Sequence, residues 1–154
     1  ADTILRFAKK KKVKTIITIG GYRKEAEDTP KVIAVSTNPA LLEAALRAEA
    51  IASSAGNPIV GTAGLLVGMA KFEKIDALCL LGETRGYLPD PKAAKSIITI
   101  LQRVLGIDVN FAELEKEIEK FERIALRMKE IEARRETYTR KMRSLEERRV
   151  TYIS

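Results

Sequence analysis

Hydrophobic positions divide the chain into two parts: short apolar runs alternating with amphipathic stretches, then a last third with one sustained helical period. Ile4, Leu5, Phe7 and Ala8 share a helical face, and Asp2-Thr3 are placed to cap it. Lys9 to Lys12 close that helix with cations at the negative end of its dipole, which reads as a solvated helix end. Val13–Ile19 is rich in β-branched residues and predicts a buried strand, stopped by a Gly20-Gly21 loop. Val32–Ser36 predicts a second strand. Asn38 then caps a helix with Pro39 at its first position, running through Leu41, Leu42, Ala45 and Leu46. Ser53–Pro58 reads as a loop. The next helix is expected over Thr62–Phe72, where Gly61, Gly64 and Gly68 fall on neighbouring turns of one face, a spacing suited to close helix packing. Ala77–Leu81 is apolar throughout and predicts a central strand covered on both faces. A long loop from Gly82 follows. Asp90-Pro91 caps a helix carrying Ala93, Ala94, Ile97, Ile98, Ile100, Leu101, Val104 and Leu105, and Gly106 stops it.

Strands alternating with helices predict an α/β fold with a partial doubly wound sheet. Three strands make such a sheet thin, and the opening helix has no strand before it. The domain is therefore expected to be incomplete, completed by upstream residues or by another chain. From Phe111 to Arg149 there is no Gly or Pro, and Phe111, Leu114, Ile118, Phe121, Ala125 and Met128 alternate by three and four. A second register runs through Met128, Ile131, Tyr138, Met142 and Leu145, and the step from Met128 to Ile131 breaks the alternation. A continuous helix of this span is about 58 Å long, more than a small domain can cover. It must pack on a partner or sister subunit, or project into solvent. The boundaries drawn are 1–106 for the α/β domain, 107–149 for a long C-terminal helix or arm, and 150–154 for a tail.

Composition narrows the chemistry. The 154 residues are 45% hydrophobic and 32% charged, which supports a folded core and excludes wholesale disorder. No apolar run approaches the roughly 20 residues that span a bilayer, and no secretory signal pattern stands at the start. A cytoplasmic location without membrane contact is expected. There is no His and a single Cys, Cys79, so a His triad, a His-ligated metal, a Cys zinc cluster and an intrachain disulfide are excluded within one chain. No metal or cofactor is expected. The absence of Trp, a single Gln and abundant Lys, Glu and Arg suggest a heat-adapted source.

The net charge is +7. Glutamates crowd the start of the long helix, while Arg134, Arg135, Arg140, Lys141, Arg143, Arg148 and Arg149 crowd its end. This gradient suits the helix dipole, and it also suits a basic arm for an acidic partner. Nucleic acid is not the expected partner, because the few aromatics do not interleave with the basic runs. Gly20, Gly21, Glu83, Thr84 and Arg85 follow strands and could line a polar pocket at the strand ends. Alternatively, Glu83 and Arg85 fix the loop or make a subunit contact. Tyr87 and Asp90 lack an identifiable acid–base partner, and Cys79 lies in an apolar strand where it should be inert. No nucleophile–base pair emerges, so no enzyme activity is expected. The rival expectation is a small-molecule-binding or enzymatic protein using that pocket.

Three segments resemble the archaeal branch of the proteasome assembly chaperone family. They are Val13 to Tyr22, Ile59 to Gly68 and, most specifically, Leu80 to Lys95, where a Gly-Glu-Thr-Arg-Gly-Tyr loop runs into a capped helix. The likeness extends roughly from Ile4 to Glu122, matching the C-terminal portion of a member, with the N-terminal part apparently absent. It implies a nucleoside-phosphorylase-like α/β fold without the enzyme's chemistry. It also implies homo-oligomers that bind proteasome α subunits and help the α ring assemble. Some members end in a hydrophobic–Tyr–any residue motif whose Tyr and terminal carboxylate enter a pocket between α subunits. Here Tyr152 is third from last, followed by Ile153 and Ser154, so docking through these residues, with Arg148 and Arg149 behind them, requires a shifted register.

Overall fold

The structure is a computed structural model that describes residues 1–24, 29–53, 61–86 and 89–150, with side chains through residue 139. Its elements run α1 (Asp2–Lys10), β1 (Thr15–Arg23), β2 (Val32–Ser36), α2 (Pro39–Arg47), β3 (Ile51–Ala52), α3 (Thr62–Phe72), β4 (Asp76–Thr84), α4 (Pro91–Leu105) and α5 (Ala112–Val150). They fall into two units, Ala1–Phe111 and Ala112–Ser154.

In the first unit one sheet has the order β1-β4-β2-β3. β4 is hydrogen-bonded on both sides, and its Ala77, Leu78, Cys79 and Leu80 are fully buried, as their unbroken apolar run predicts. Alternation splits them between two layers. Leu78 and Leu80 join Val32, Ala34, Ala45, Ile97 and Ile100 under α2 and α4. Ala77 and Cys79 join Leu5, Ala8, Leu66, Val67 and Ala70 under α1 and α3. Helices therefore cover both faces, as in a doubly wound fold.

The sheet itself is mixed. β1 runs parallel to β4, but β2 runs antiparallel to it. The connection explains this: only eight residues, 24–31, separate β1 from β2, too few for the crossover of a dozen or more that a parallel return needs. β3 adds a fourth strand beyond the three expected, pairing Ile51 and Ala52 with Ile33 and Ala34. β1 is an edge strand, not a buried one.

The glycines also differ from expectation. Gly20 and Gly21 lie inside β1, and Gly82 to Thr84 lie inside β4. Their role is close packing: a Cβ on Gly20 would stand 2.9 Å from Leu81 Cδ2, and one on Gly21 2.8 Å from Thr84 Cγ2. On α3 the outcome is reversed. Gly61, Gly64 and Gly68 are expected to pack closely, yet among the described residues they line a groove with Leu65, Met69 and Phe72, and a Cβ on Gly61 or Gly68 would meet nothing within 4 Å. The core of this unit takes α3's other face, through Leu66, Val67 and Ala70.

Helix ends follow the local signals in α2 and α4. Asn38 accepts from the Ala40 N–H at 2.8 Å, Asp90 accepts from the Ala93 N–H at 3.0 Å, and Gly106 closes α4 at φ +64°. At α1 the expected cap is absent: Ala1 occupies the N-cap, and Asp2 pairs with Arg6 at 2.7 Å. In the second unit, α5 is continuous for 39 residues and exposes Ile124, Leu126, Met128, Ile131 and Tyr138. Phe111 precedes it and carries the Lys95 ammonium 5.8 Å from its ring centroid.

Gly82→Ala tests the close packing, since its Cβ would lie 2.9 Å from Ile97 Cδ1 and 3.4 Å from the Ala93 carbonyl oxygen. The expected cost is about 1–3 kcal/mol of overpacking, read as a lower urea midpoint at unchanged slope.

Candidate functional site

The parallel register places Tyr22 beside Glu83 and Arg23 beside Thr84, while antiparallel β2 begins at the same end of the sheet. The end of β1, the start of β2 and the end of β4, about sixty residues on, thus meet at the carboxyl ends of β1 and β4. Glu83 stands at their centre, only 1% exposed. Its Oε1 accepts from the Tyr22 hydroxyl at 2.6 Å and from Lys24 Nζ at 2.9 Å. Its Oε2 accepts from the Lys31 backbone N–H at 3.0 Å. The Glu83 N–H in turn donates to the Lys31 carbonyl at 2.9 Å, so side chain and backbone together bind the start of β2.

Burial alone would raise the Glu83 pKa. The hydrogen bonds from Tyr22, Lys31 and Lys24, with the Lys24 charge, outweigh it and hold the carboxyl at about 2. The group is ionised at neutral pH, and both oxygens are engaged. It serves as a fastener between the end of β1 and the start of β2.

The other strand-end residues separate around it. Gly20 and Gly21 are the strand positions pressed against Leu81 and Thr84. Thr84 Oγ1 accepts from the Gly86 N–H at 3.2 Å, turning the chain out of β4, and Arg85 is exposed in that turn. Sequence reasoning brought Glu83 and Tyr22 to strand ends but missed Lys24 and Lys31. The signal that would have found them is the short connection that returns β2 to the end of the sheet where β1 stops. Cys79 is buried, and its burial raises the thiol pKa, against the smaller opposing effect of a Thr18 hydrogen bond. Among the described residues, no group of three or more Cys, Asp or Glu side chains is arranged to hold a metal ion. Among them, too, no helix is long and apolar enough to cross a membrane. Tyr87, Tyr152, Ile153 and Ser154 lie outside the described residues, as do the side chains of Arg148 and Arg149.

Fold and site together define a mixed α/β module, laced at one end by a buried carboxylate and followed by a long helix. The chain belongs to the PAC2 family, whose match covers residues 1–129. It is 34% identical over 119 residues to the uncharacterised protein MJ1210 of Methanocaldococcus jannaschii, across 76% of this chain and 46% of that one. It is similar to PbaB of Pyrococcus furiosus, an archaeal proteasome activator, at 30% identity and a TM-score of 0.75, covering 83% of this chain and 56% of PbaB. It is likewise similar to PbaA of Pyrococcus furiosus, an archaeal homolog of proteasome-assembly chaperone, at 29% identity and a TM-score of 0.74, covering 90% of this chain and 59% of PbaA. The chain thus spans about half the length of these relatives. The resemblance read from Val13 to Tyr22 and Leu80 to Lys95 is borne out at the level of the family and its archaeal proteasome-linked members.

The Glu83 fastener sets a pH expectation. A carboxyl whose folded pKa lies below its unfolded value contributes stability above the unfolded pKa, near 4.5, and loses it as pH falls towards about 2. Urea stability should therefore drop between about pH 5 and pH 2 in the parent, and that drop should shrink in Glu83→Gln. At pH 7 the substitution should cost about 2 kcal/mol, kept low because Lys24 is 49% exposed and screened by solvent.

Proposed function

We propose that this chain is a non-enzymatic, proteasome-assembly-chaperone-like protein that forms a homo-oligomer and binds proteasome α subunits in the cytoplasm. The observation that carries the reading is membership of the PAC2 family, together with similarity to PbaB and PbaA over more than four-fifths of the chain. The site is compatible with it. The most deeply buried carboxylate is committed to holding strands together, which favours a rigid body over a reacting centre.

The α5 arm supplies the means of contact in this proposal. Each oligomer would present several copies of an arm carrying Arg148, Arg149, Tyr152, Ile153 and Ser154. Several weak tail contacts on one body combine through effective concentration. A small-molecule pocket at Gly20, Gly21, Glu83, Thr84 and Arg85 has less support, because the first two are packed against β4 side chains and both Glu83 oxygens already accept hydrogen bonds from Tyr22, Lys24 and Lys31.

Native mass spectrometry of this chain, alone and mixed with proteasome α subunits from the same source, tests the proposal. The expected result is a defined oligomer that captures α subunits, with capture at least about tenfold weaker after removal of residues 150–154. An oligomer that ignores α subunits overturns the chaperone reading. Capture unaffected by the deletion overturns the tail mechanism alone.

A further inference from the structure

We propose that α5 pairs with α5 of a second copy of this chain as a two-fold, antiparallel coiled coil. The inference rests on the homo-oligomer of the proposed function, not on proteasome binding. α5 is continuous over 39 residues, about 58 Å of helix. Its apolar positions are largely uncovered: Ile124, Met128, Ile131 and Tyr138 are exposed, and Leu114, Ile118 and Phe121 are half-buried. A stripe of this kind on a long helix is the seam of a helix pair.

The order of residues along the stripe points to the second copy. Leu114, Ile118, Phe121, Ala125 and Met128 alternate by four and three, and so do Tyr138, Met142 and Leu145, in a frame shifted at the step from Met128 to Ile131. That shift sets the two halves in mirror order about a point just after Ile131, the middle residue of α5. Ile118 and Leu145 stand equally far from it on either side, as do Phe121 and Met142, and Ala125 and Tyr138. A two-fold antiparallel pair places mirrored residues level with one another, so apolar meets apolar and the small Ala125 comes opposite the large Tyr138. The remaining seam positions, Leu114 and Met128, come opposite Arg149 and Arg135, whose aliphatic stems are suited to cover apolar surface.

Charge settles the direction, because the apolar stripe would also match itself in parallel. Residues 112–122 hold five Glu against Lys116 and Lys120, a net charge of −3. Residues 140–149 hold Arg140, Lys141, Arg143, Arg148 and Arg149 against Glu146 and Glu147, a net charge of +3. Parallel helices would set each block against its like, whereas antiparallel helices set opposite blocks together at both ends of the pair. Glu117 borders the stripe beside Ile118 and meets Lys120 of its own helix at 3.5 Å. In the antiparallel register it falls between positions 141 and 148 of the second copy, a Lys and an Arg. Residues 151–154 lie past the end of α5 and outside the seam, so pairing and tail docking do not compete.

Cross-linking reads both direction and register. Two chains, one carrying Ala125→Cys and the other Tyr138→Cys, are mixed under mild oxidation, with the parent as blank because its Cys79 is buried. The mixture should form disulfide dimers at least about tenfold faster than either chain alone. Ile118→Cys with Leu145→Cys should behave in the same way and fixes the register. Glu117→Lys in both chains should slow the mixed reaction at least about threefold, and adding Lys141→Glu and Arg148→Glu should restore it. Rapid dimers from Ala125→Cys alone mean a parallel pair and overturn the proposal, as does failure of the charge exchange to restore the reaction. A chain that native mass spectrometry shows as an oligomer but that gives no mixed cross-link overturns this inference alone. A monomer overturns it together with the proposed homo-oligomer.

Discussion

The architecture depends on one strand that is hydrogen-bonded along both edges and apolar on both faces. Residues Ala77 to Leu80 of β4 send alternate side chains into the two core clusters, so each helical layer is anchored to the same backbone. Pairing with β1 and β2 leaves no space for bulk where the strands and helices come closest. Gly82 lies against Ile97, and Gly20 against Leu81. Glycines that weaken an isolated strand are tolerated here because burial of the surrounding apolar surface outweighs their conformational cost.

At its carboxyl end β4 passes from apolar to ionic organisation within a few residues. Glu83 takes hydrogen bonds from the segment after β1 and from the residue before β2, so it fixes both neighbours of β4 at once. An unpaired carboxylate buried there would be strongly unfavourable, whereas one with both oxygens engaged specifies which segments meet. The same arrangement accounts for the low pKa. Ligands of open α/β sheets bind in the crevice at the carboxyl ends of the strands, and here both oxygens of Glu83 are turned to Tyr22, Lys24 and Lys31.

What could be read from the sequence follows how local each determinant is. The continuous apolar run identified β4 as central, and Asn38-Pro39, Asp90-Pro91 and Gly106 marked helix ends because capping is decided within a few residues. Gly20-Gly21 was misread as a loop because its justification, the Leu81 and Thr84 side chains, lies about sixty residues away. Ile51-Ala52 carries no pattern of its own and becomes a strand only by contact with β2. The direction of β2 depended on the length of a connection, which the apolar pattern does not encode. At the site, Glu83 was singled out as polar at a strand end. Its partners Lys24 and Lys31 were not, since the second acts through its backbone N–H, which no residue type announces.

α3 shows why a single polypeptide surface can carry a signal that its own fold does not use. Its Thr62–Phe72 sequence is apolar nearly all round, the composition of a helix covered on more than one side. Leu66, Val67 and Ala70 satisfy one side against the sheet, while Phe72 remains 87% exposed beside the open glycine groove. Local pattern predicted the helix and its limits, while among the described residues nothing packs closely on its glycines. The distinction matters physically: among the described residues nothing would meet a Cβ at Gly61 or Gly68, so close packing within this core does not account for them.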